Sequence, residues 1–282
     1  MKDSIRRFLT WLEVNRGSAG NTLLAYRADL KQFQEVLESA GDNLNPSGLT
    51  SDQVGRYVAW LGRQGYRPAT VSRKMAAVRS FLSYLHQAEG LPDGQLLAEL
   101  RPSPAPRRRP RVLDPREVGE LLSLPGRQDT PRALRDAAIL ALLYATGLRA
   151  ADLVALRLDD VDLEAGKLTR PAPEGGVIPL GLAAQSLRRY LSGGRPLLVR
   201  SSEETALFLN QRGRRLSRQG LWLVVKRWAK ASGLGGDVSP HTLRHTLAHH
   251  LLSEGKSRRE VQIRLGLSSP NAIRLPRERQ DA

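Results

Sequence analysis

Apolar residues recur at every third or fourth position along most of the chain, which is the spacing of amphipathic α-helices. Within the first 100 residues, four such stretches joined by short polar connections predict a small helical bundle. The predicted helices cover roughly residues 4–15, 21–37, 51–61 and 70–85. Asn21 and Thr70 are expected to begin the second and fourth helices, and Leu24 is expected on the inward side of the second.

Boundary signals are clear in the chain beyond residue 112. A capping side chain followed by proline predicts helix starts at Asp114-Pro115, Thr130-Pro131 and Ser239-Pro240. Ser217 predicts the start of a helix with a basic outer face, and a shorter helix is expected over residues 183–192.

A small amount of β-structure is expected in the same region. Residues 161–170 and 177–180 have the composition of two short strands, joined by turn-forming residues at 171–176. Phe208-Leu209 predicts a further short strand. The chain beyond residue 112 is therefore expected to be mainly helical with a small sheet.

Alternating prolines and arginines from Arg101 to Arg111 oppose helix formation and favour a stiff, extended linker. We therefore predict an N-terminal helical domain at residues 1–100, a linker at 101–112 and a larger domain at 113–270. Residues 271–282 are charged and interrupted by proline, and are expected to form a disordered tail.

Charge is the first property that indicates a partner. The 282 residues include 44 Lys and Arg against 28 Asp and Glu, which gives a formal charge of +16. This excess favours a polyanion, most simply nucleic acid, although RNA or an acidic membrane surface is also compatible with it. The absence of cysteine excludes disulfides and thiolate metal sites. With no long apolar run or signal sequence, the expectation is a cytoplasmic protein without a membrane-bound segment.

A candidate anion site lies at the predicted helix start Ser239-Pro240. His241 and Arg244 are three residues apart, so they share one face close to the positive end of this helix. An imidazole, a guanidinium and a helix N-terminus together suit a phosphate. The same residues are also compatible with a capped surface helix whose polar side chains are merely solvated.

Two segments carry a family resemblance. Residues 239–252 read SPHTLRHTLAHHLL and residues 144–156 read YATGLRAADLVAL. They resemble, in the expected order, the two arginine boxes of the tyrosine recombinases, which include the phage integrases and the Xer recombinases. Residues 21–30 and 71–81 are similar to the second and fourth helices of that family's N-terminal domain.

The resemblance implies a mainly α tyrosine recombinase fold. Its parts are a four-helix, SAM-like core-binding domain, which forms one arm of a C-shaped clamp around duplex DNA, and a larger α-rich catalytic domain with a small β-sheet. The reaction it implies stores the broken bond as phosphotyrosine and needs no cofactor and no metal. The expected partners are double-stranded DNA and a partner recombinase or further copies of the chain on that DNA.

The same resemblance assigns roles to individual residues. Arg149, His241 and Arg244 would surround the scissile phosphate, and Asp152 would support Arg149. Basic side chains on two predicted outer helix faces would contact DNA, although each of them is also compatible with an ordinary solvated face: Arg73, Lys74, Arg79, Arg218, Lys226 and Arg227.

Three catalytic groups of the family do not appear where the resemblance expects them. The turn at 171–176 carries no lysine, Leu267 replaces a histidine, and counting forward to the nucleophilic tyrosine reaches Pro276. No tyrosine follows Tyr190. We therefore expect a DNA-binding relative that does not cleave alone and assembles weakly. A truncated or frameshifted form of an active recombinase, altered near Gly266, and a basic adaptor for RNA or protein remain the alternatives.

Overall fold

The computed structural model describes residues 1–16, 20–41, 45–89, 100, 111–169, 175–235 and 237–267. The chain divides into two compact units, Met1–Arg108 and Arg109–Ala282. Most of the predicted linker and the whole of the predicted tail lie outside the described residues. Arg111 is described within the second unit, where its guanidinium donates to the Leu234 carbonyl and, at 3.0 Å, to Glu117.

Helices make up the described part of the first unit. The four α-helices are α1 (Lys2–Arg16), α2 (Gly20–Ser39), α3 (Ser51–Arg63) and α4 (Pro68–Glu89), with a short 3-10 turn at Pro46–Gly48. Their inward stripes form one apolar core, and its largest fully buried side chains are aromatic: Phe8, Phe33, Tyr57 and Phe81.

Two predicted helix starts and one predicted core residue in this unit are wrong. Helix α2 already includes Asn21, and α4 begins two residues before Thr70, because proline is well suited to a first helical turn. Leu24 is 62% exposed. The buried stripe of α2 instead continues from Leu23, which leaves the next position on the solvent side.

The second unit contains the larger core. Its helices are α5 (Pro115–Gly126), α6 (Pro131–Thr146), α7 (Ala150–Ala155), α8 (Ala183–Arg189), α9 (Arg195–Leu198), α10 (Arg218–Ala231), α11 (Pro240–Ser253) and α12 (Arg258–Leu265). Helix α6 is buried on nearly all sides, as its continuous apolar sequence predicts. Helices α5, α8, α9 and α11 pack against it.

The predicted caps of this unit are confirmed. The side chains of Asp114, Thr130, Ser217 and Ser239 each accept a hydrogen bond from a backbone N–H in the first turn of the helix that follows. These contacts satisfy donors that a helix start would otherwise leave unpaired.

The sheet differs from the prediction. Residues 161–170 form two strands rather than one, β1 (Val161–Asp162) and β2 (Lys167–Thr169), and β3 (Val177–Pro179) completes an antiparallel sheet in the order β1-β2-β3. A turn separates β1 from β2 because the Asp162 carboxylate accepts from the N–H groups of Glu164 and Ala165. Of the predicted turn 171–176, residues 171–174 lie outside the described residues.

Two further predictions about local structure are wrong. Phe208-Leu209 does not form a strand with a neighbour; Leu209 makes one isolated bridge, to Arg215. The helix predicted over 183–192 changes at Tyr190 into a π-helical turn, Tyr190–Gly194. Gly194 is required there, since a Cβ at this position would lie 2.9 Å from the Tyr190 ring.

Within the described residues, the architecture confirms the predicted fold class, with four helices in the first unit followed by a larger helical unit with a small sheet. Among the described residues, none of the helices combines the length and the apolar character that crossing a bilayer requires.

Candidate functional site

Helix α11 presents one side to the core and one to solvent. Ser239 caps it, Pro240 occupies its first turn, and Leu243 and Leu247 are buried against the second unit. The periodicity that buries these leucines places Arg244 at the edge of the core, where it is 8% exposed, and leaves His241 exposed.

The Arg244 guanidinium bridges two segments that are distant in sequence. One of its nitrogens donates to the carbonyl oxygen of Gly147, at the end of α6. The other donates at 2.7 Å to the carbonyl oxygen of Leu265, the last residue of α12. A buried guanidinium therefore has main-chain partners on two sides, which fixes its position.

Arg149 binds at the same end of α12 as Arg244. It lies directly before α7, and its guanidinium donates at 3.0 Å to the carbonyl oxygen of Gly266. Asp152, one turn further along, lies 4.0 Å from the same guanidinium. The Arg149 side chain remains 44% exposed, so solvent reaches it.

The two predicted arginines therefore meet at one place, where they bind the successive carbonyls of Leu265 and Gly266. Gly147 makes this approach possible. Its φ is +61°, and a Cβ there would lie 2.3 Å from the Leu265 side chain.

His241 lies one turn before Arg244 on α11 and interacts with a histidine that the sequence analysis did not single out. Its Nε2 lies 2.8 Å from the Nε2 of His245, and the two rings are nearly perpendicular. The spacing of four residues on a predicted helix was the signal that could have identified this pair.

Tyr144 on α6 and His250 on α11 form a second polar pair, with the phenol oxygen 2.7 Å from the His250 Nδ1. Burial, and then the charge of Glu254, raises the pKa of Tyr144 above its ordinary value. Tyr144 is therefore held as a neutral phenol that packs beside Leu247 and Leu265.

The surroundings of Leu267 are apolar, as its side chain is. Leu267 packs half-buried against the small cluster of Leu247, Ala248, Val261 and Leu265. An alkyl side chain neither donates nor accepts a proton, so Leu267 supplies no acid–base chemistry.

Only part of the predicted basic face of α10 is exposed to solvent. Arg218 is exposed, and the Lys226 ammonium lies 5.1 Å from the centre of the exposed Trp222 ring. Arg227 instead reaches the fully buried carboxylate of Asp136. Its outward placement was thus only half correct, because the buried acid attracts the guanidinium back to the core.

In the first unit, the predicted outer placement of Lys74 is wrong. Its side chain is 9% exposed and donates at 2.9 Å to Asp29 and at 2.6 Å to Gln32. A buried carboxylate on α2 requires a cation, and the facing residue of α4 supplies it. Arg73 binds the same carboxylate but stays 44% exposed.

Arg79 is exposed, as predicted, and borders a groove of about 300 Å³ on the first unit. The groove is also lined by Trp11, Tyr26 and Tyr84. Sequence analysis missed these aromatic side chains, because helical periodicity indicates core positions and gives no sign of which of them reach the edge.

Among the residues that the structure describes, no group of three or more His, Cys, Asp or Glu side chains is placed to hold a metal ion.

Comparison with known proteins covers both units. Residues 5–89 match the N-terminal SAM-like domain of phage integrases, and residues 111–275 match the phage integrase family. Tyrosine recombinase XerC of Roseiflexus sp. (strain RS-1) is 41% identical over 281 residues, covering 98% of this chain and 88% of that protein. Tyrosine recombinase XerD of Listeria monocytogenes serovar 1/2a is 37% identical, covering 94% of this chain and 90% of that protein.

Solved structures support the same fold at lower identity. A lambda integrase dimer bound to a COC′ core site superposes with a TM-score of 0.73 at 20% identity, covering 99% of this chain and 97% of that one. The crystal structure of XerA recombinase covers 98% and 94%, with a TM-score of 0.54 and 23% identity. The matches to both units, together with Xer relatives similar over nearly the whole chain, show that this protein belongs to the phage integrase family of tyrosine recombinases.

Proposed function

We propose that this chain binds a specific site on duplex DNA, holds a backbone phosphate with Arg149, His241 and Arg244, and does not break the strand by itself. It acts in the cytoplasm without a cofactor, as copies assembled on DNA or beside a partner recombinase. DNA-bound neighbours of the same fold, including a lambda integrase tetramer on a Holliday junction, support the choice of partner.

The convergence of Arg149 and Arg244 carries this proposal. Their guanidiniums bind carbonyls of adjacent residues, although the two arginines are far apart in sequence. A phosphate offers charged acceptor oxygens that are stronger than neutral carbonyls and can be shared by two guanidiniums. By analogy with oxyanion-hole donors, we expect each such donor to contribute about 2–4 kcal/mol in the transition state of phosphoryl transfer.

Three features of the sequence support the proposal that this chain does not cleave DNA by itself. Strand cleavage by this family needs a tyrosine oxygen to attack phosphorus while the leaving oxygen takes a proton. Pro276 occupies the position counted for that tyrosine, Leu267 replaces a histidine, and the hairpin turn sequence carries no lysine. Two arginines without a nucleophile stabilise a phosphate but form no new bond to it.

The test for phosphate binding begins with a duplex site selected from a random library. Arg149→Gln is expected to bind that site at least about tenfold more weakly, because a hydrogen bond between charged groups is worth about 1.5–3 kcal/mol. Arg116→Gln, which changes an exposed arginine at the start of α5, is the matched control and should bind like the parent chain. Equal affinity for the two variants would contradict the phosphate site.

The test for cleavage uses the same site with a nick, so that strand release traps any covalent product. A protein–DNA band that survives denaturation would contradict the proposal that this chain does not cleave DNA. It would leave the proposal of DNA binding unaffected. Equal affinity for the selected site, random duplex and RNA would instead favour the adaptor alternative.

A further inference from the structure

His241 and His245 form a compact pair on the exposed side of α11. Their Nε2 atoms are 2.8 Å apart, their ring centroids are 4.2 Å apart, and the ring planes meet at 83°. The centroid distance is shorter than two rings meeting head-on at that nitrogen separation would give. The two rings therefore do not meet head-on.

This nitrogen separation fits one class of metal geometry. With metal–nitrogen bonds of about 2.0–2.1 Å, two nitrogens 2.8 Å apart subtend an angle of about 90° at the metal. That is the angle between neighbouring ligands in square-planar or octahedral coordination. A tetrahedral ion would need the nitrogens about 3.3 Å apart, so zinc fits less well than copper or nickel.

The helix already holds the two ligands in place. Ser239 caps α11, and Leu243 and Leu247 anchor its inner side in the apolar core. His241 is exposed and His245 is half-buried, so a hydrated ion can reach both rings. Little backbone ordering is required on binding, which favours affinity.

We propose that His241 and His245 form a two-histidine chelate for a divalent transition-metal ion, with Cu²⁺ preferred, Ni²⁺ second and Zn²⁺ third. The described part of the chain offers no third ligand of the usual kinds at this place.

The surrounding charge opposes the binding of any divalent cation. The first turn of α11 carries a positive partial charge, and Arg244 lies on the same helix. Both repel a cation, so the metal–imidazole bonds must outweigh that repulsion. Among divalent first-row ions, Cu²⁺ forms the strongest bonds to imidazole.

Metal binding at this site would affect the proposed function, and only this part of the inference rests on that function. An ion bound to the His241 Nε2 occupies the nitrogen that would otherwise face a phosphate. Metal binding itself is measured without DNA, so the failure of either proposal leaves the other standing.

The experiment titrates CuCl₂, NiCl₂ or ZnCl₂ into the full chain, prepared without a histidine tag, by calorimetry. One Cu²⁺ should bind per chain, and its paramagnetic resonance spectrum should show nitrogen coupling from two imidazoles. His245→Gln and His241→Gln should each weaken Cu²⁺ binding by about 100-fold, because the second ligand no longer binds intramolecularly.

His86→Gln is the control, since His86 is the one histidine of the sequence outside α11. This variant should bind Cu²⁺ like the parent chain. Circular dichroism of each variant separates loss of a ligand from loss of the helix. Copper binding that survives His245→Gln in a folded chain, a single-imidazole spectrum, or tighter binding of Zn²⁺ than of Cu²⁺ would each overturn the chelate.

Discussion

Asp29 is 1% exposed between α2 and α4, and both Arg73 and Lys74 bind its carboxylate. Replacing it by asparagine removes the negative charge and leaves the buried Lys74 ammonium without compensation. We expect Asp29→Asn to lower the free energy of unfolding by roughly 3–5 kcal/mol, the usual cost of breaking a buried pair from one side. Urea unfolding of the full chain measures this.

Asp3→Asn is the matched control for that substitution. It changes a carboxylate that pairs with Arg6 on the surface, where both side chains are more than three-quarters exposed. Exposed pairs of this kind contribute little to stability. If Asp29→Asn and Asp3→Asn lowered the free energy of unfolding equally, the buried contact between Asp29 and Lys74 would not be what joins α2 to α4.

Tyr190 provides a second residue-scale prediction, in alkaline solution. Burial raises the pKa of Tyr190 from 10.0 to about 12, because its ring lies in the core of the second unit. A raised folded pKa means that the stabilisation is complete below the unfolded pKa and disappears as pH rises through the folded one. About 2–3 kcal/mol should therefore be lost between roughly pH 10 and 12.

Comparison with Tyr190→Phe isolates this contribution from the other tyrosines. At pH 8 the variant should be less stable than the parent chain, because the N–H of Leu209 loses the phenol oxygen, 3.3 Å away, that accepts its hydrogen bond. Its urea midpoint should then fall less steeply above pH 10. Parallel pH curves for the two chains would show that Tyr190 ionises as freely in the folded state as in the unfolded one.

At the scale of elements, the contact between the end of α6 and the end of α12 positions both arginines. Gly147→Ala adds a methyl group at φ +61°, 2.3 Å from Leu265 and 2.9 Å from Leu247. We expect a loss of stability greater than the roughly 1 kcal/mol that the backbone conformation alone costs. DNA affinity should fall with it, because α12 must move away from Arg149 and Arg244.

Gly233→Ala separates the cost of the backbone conformation from the effect of the close approach of α12. Gly233 has a similar φ of +72° at the end of α10, but a Cβ there would meet nothing within 4 Å. This variant should show the backbone cost without the loss of DNA affinity. If Gly147→Ala behaved like Gly233→Ala in both measurements, the close approach of α12 would not determine the arginine geometry.

Elements were predictable from the sequence where a local rule determines them. The caps at Asp114 and Ser239 follow from side chains that reach a nearby backbone N–H, so the sequence alone locates these helix starts. The division of 161–170 into β1 and β2 depends on a turn around the Asp162 carboxylate, which strand propensity does not detect. The π-helical turn at Tyr190 depends on the space that Gly194 leaves, which is a tertiary effect.

The site was predictable in its residues but not in its contacts. A motif identifies Arg149 and Arg244, whereas their acceptors are main-chain carbonyls of residues 265 and 266, which any amino acid would supply. Likewise, the charge of Lys74 favours an outward side chain, and only the buried Asp29 on another helix explains why it faces inward.

At the scale of the whole molecule, the 44 Lys and Arg residues outnumber the cations that are available to a partner. Several arginines are bound to the protein itself. Arg135 is buried beside Asp136, and Arg195 donates to the carbonyl oxygens of Glu204 and Ala206. Fewer cations than the sequence suggests can therefore neutralise DNA phosphates.

The salt dependence of DNA binding measures how many cations do so. The logarithm of the binding constant falls with the logarithm of salt concentration, with a slope of about −0.9 for each neutralised phosphate. Arg218→Gln, on the exposed side of α10, should therefore flatten the slope by about 0.9. Arg195→Gln removes an equal formal charge from a guanidinium bound inside the protein, so it should lower stability and leave the slope unchanged. If the two variants changed the slope equally, total charge rather than the face of α10 would govern the interaction. That result would favour a non-specific adaptor over a protein that docks on duplex DNA in one orientation.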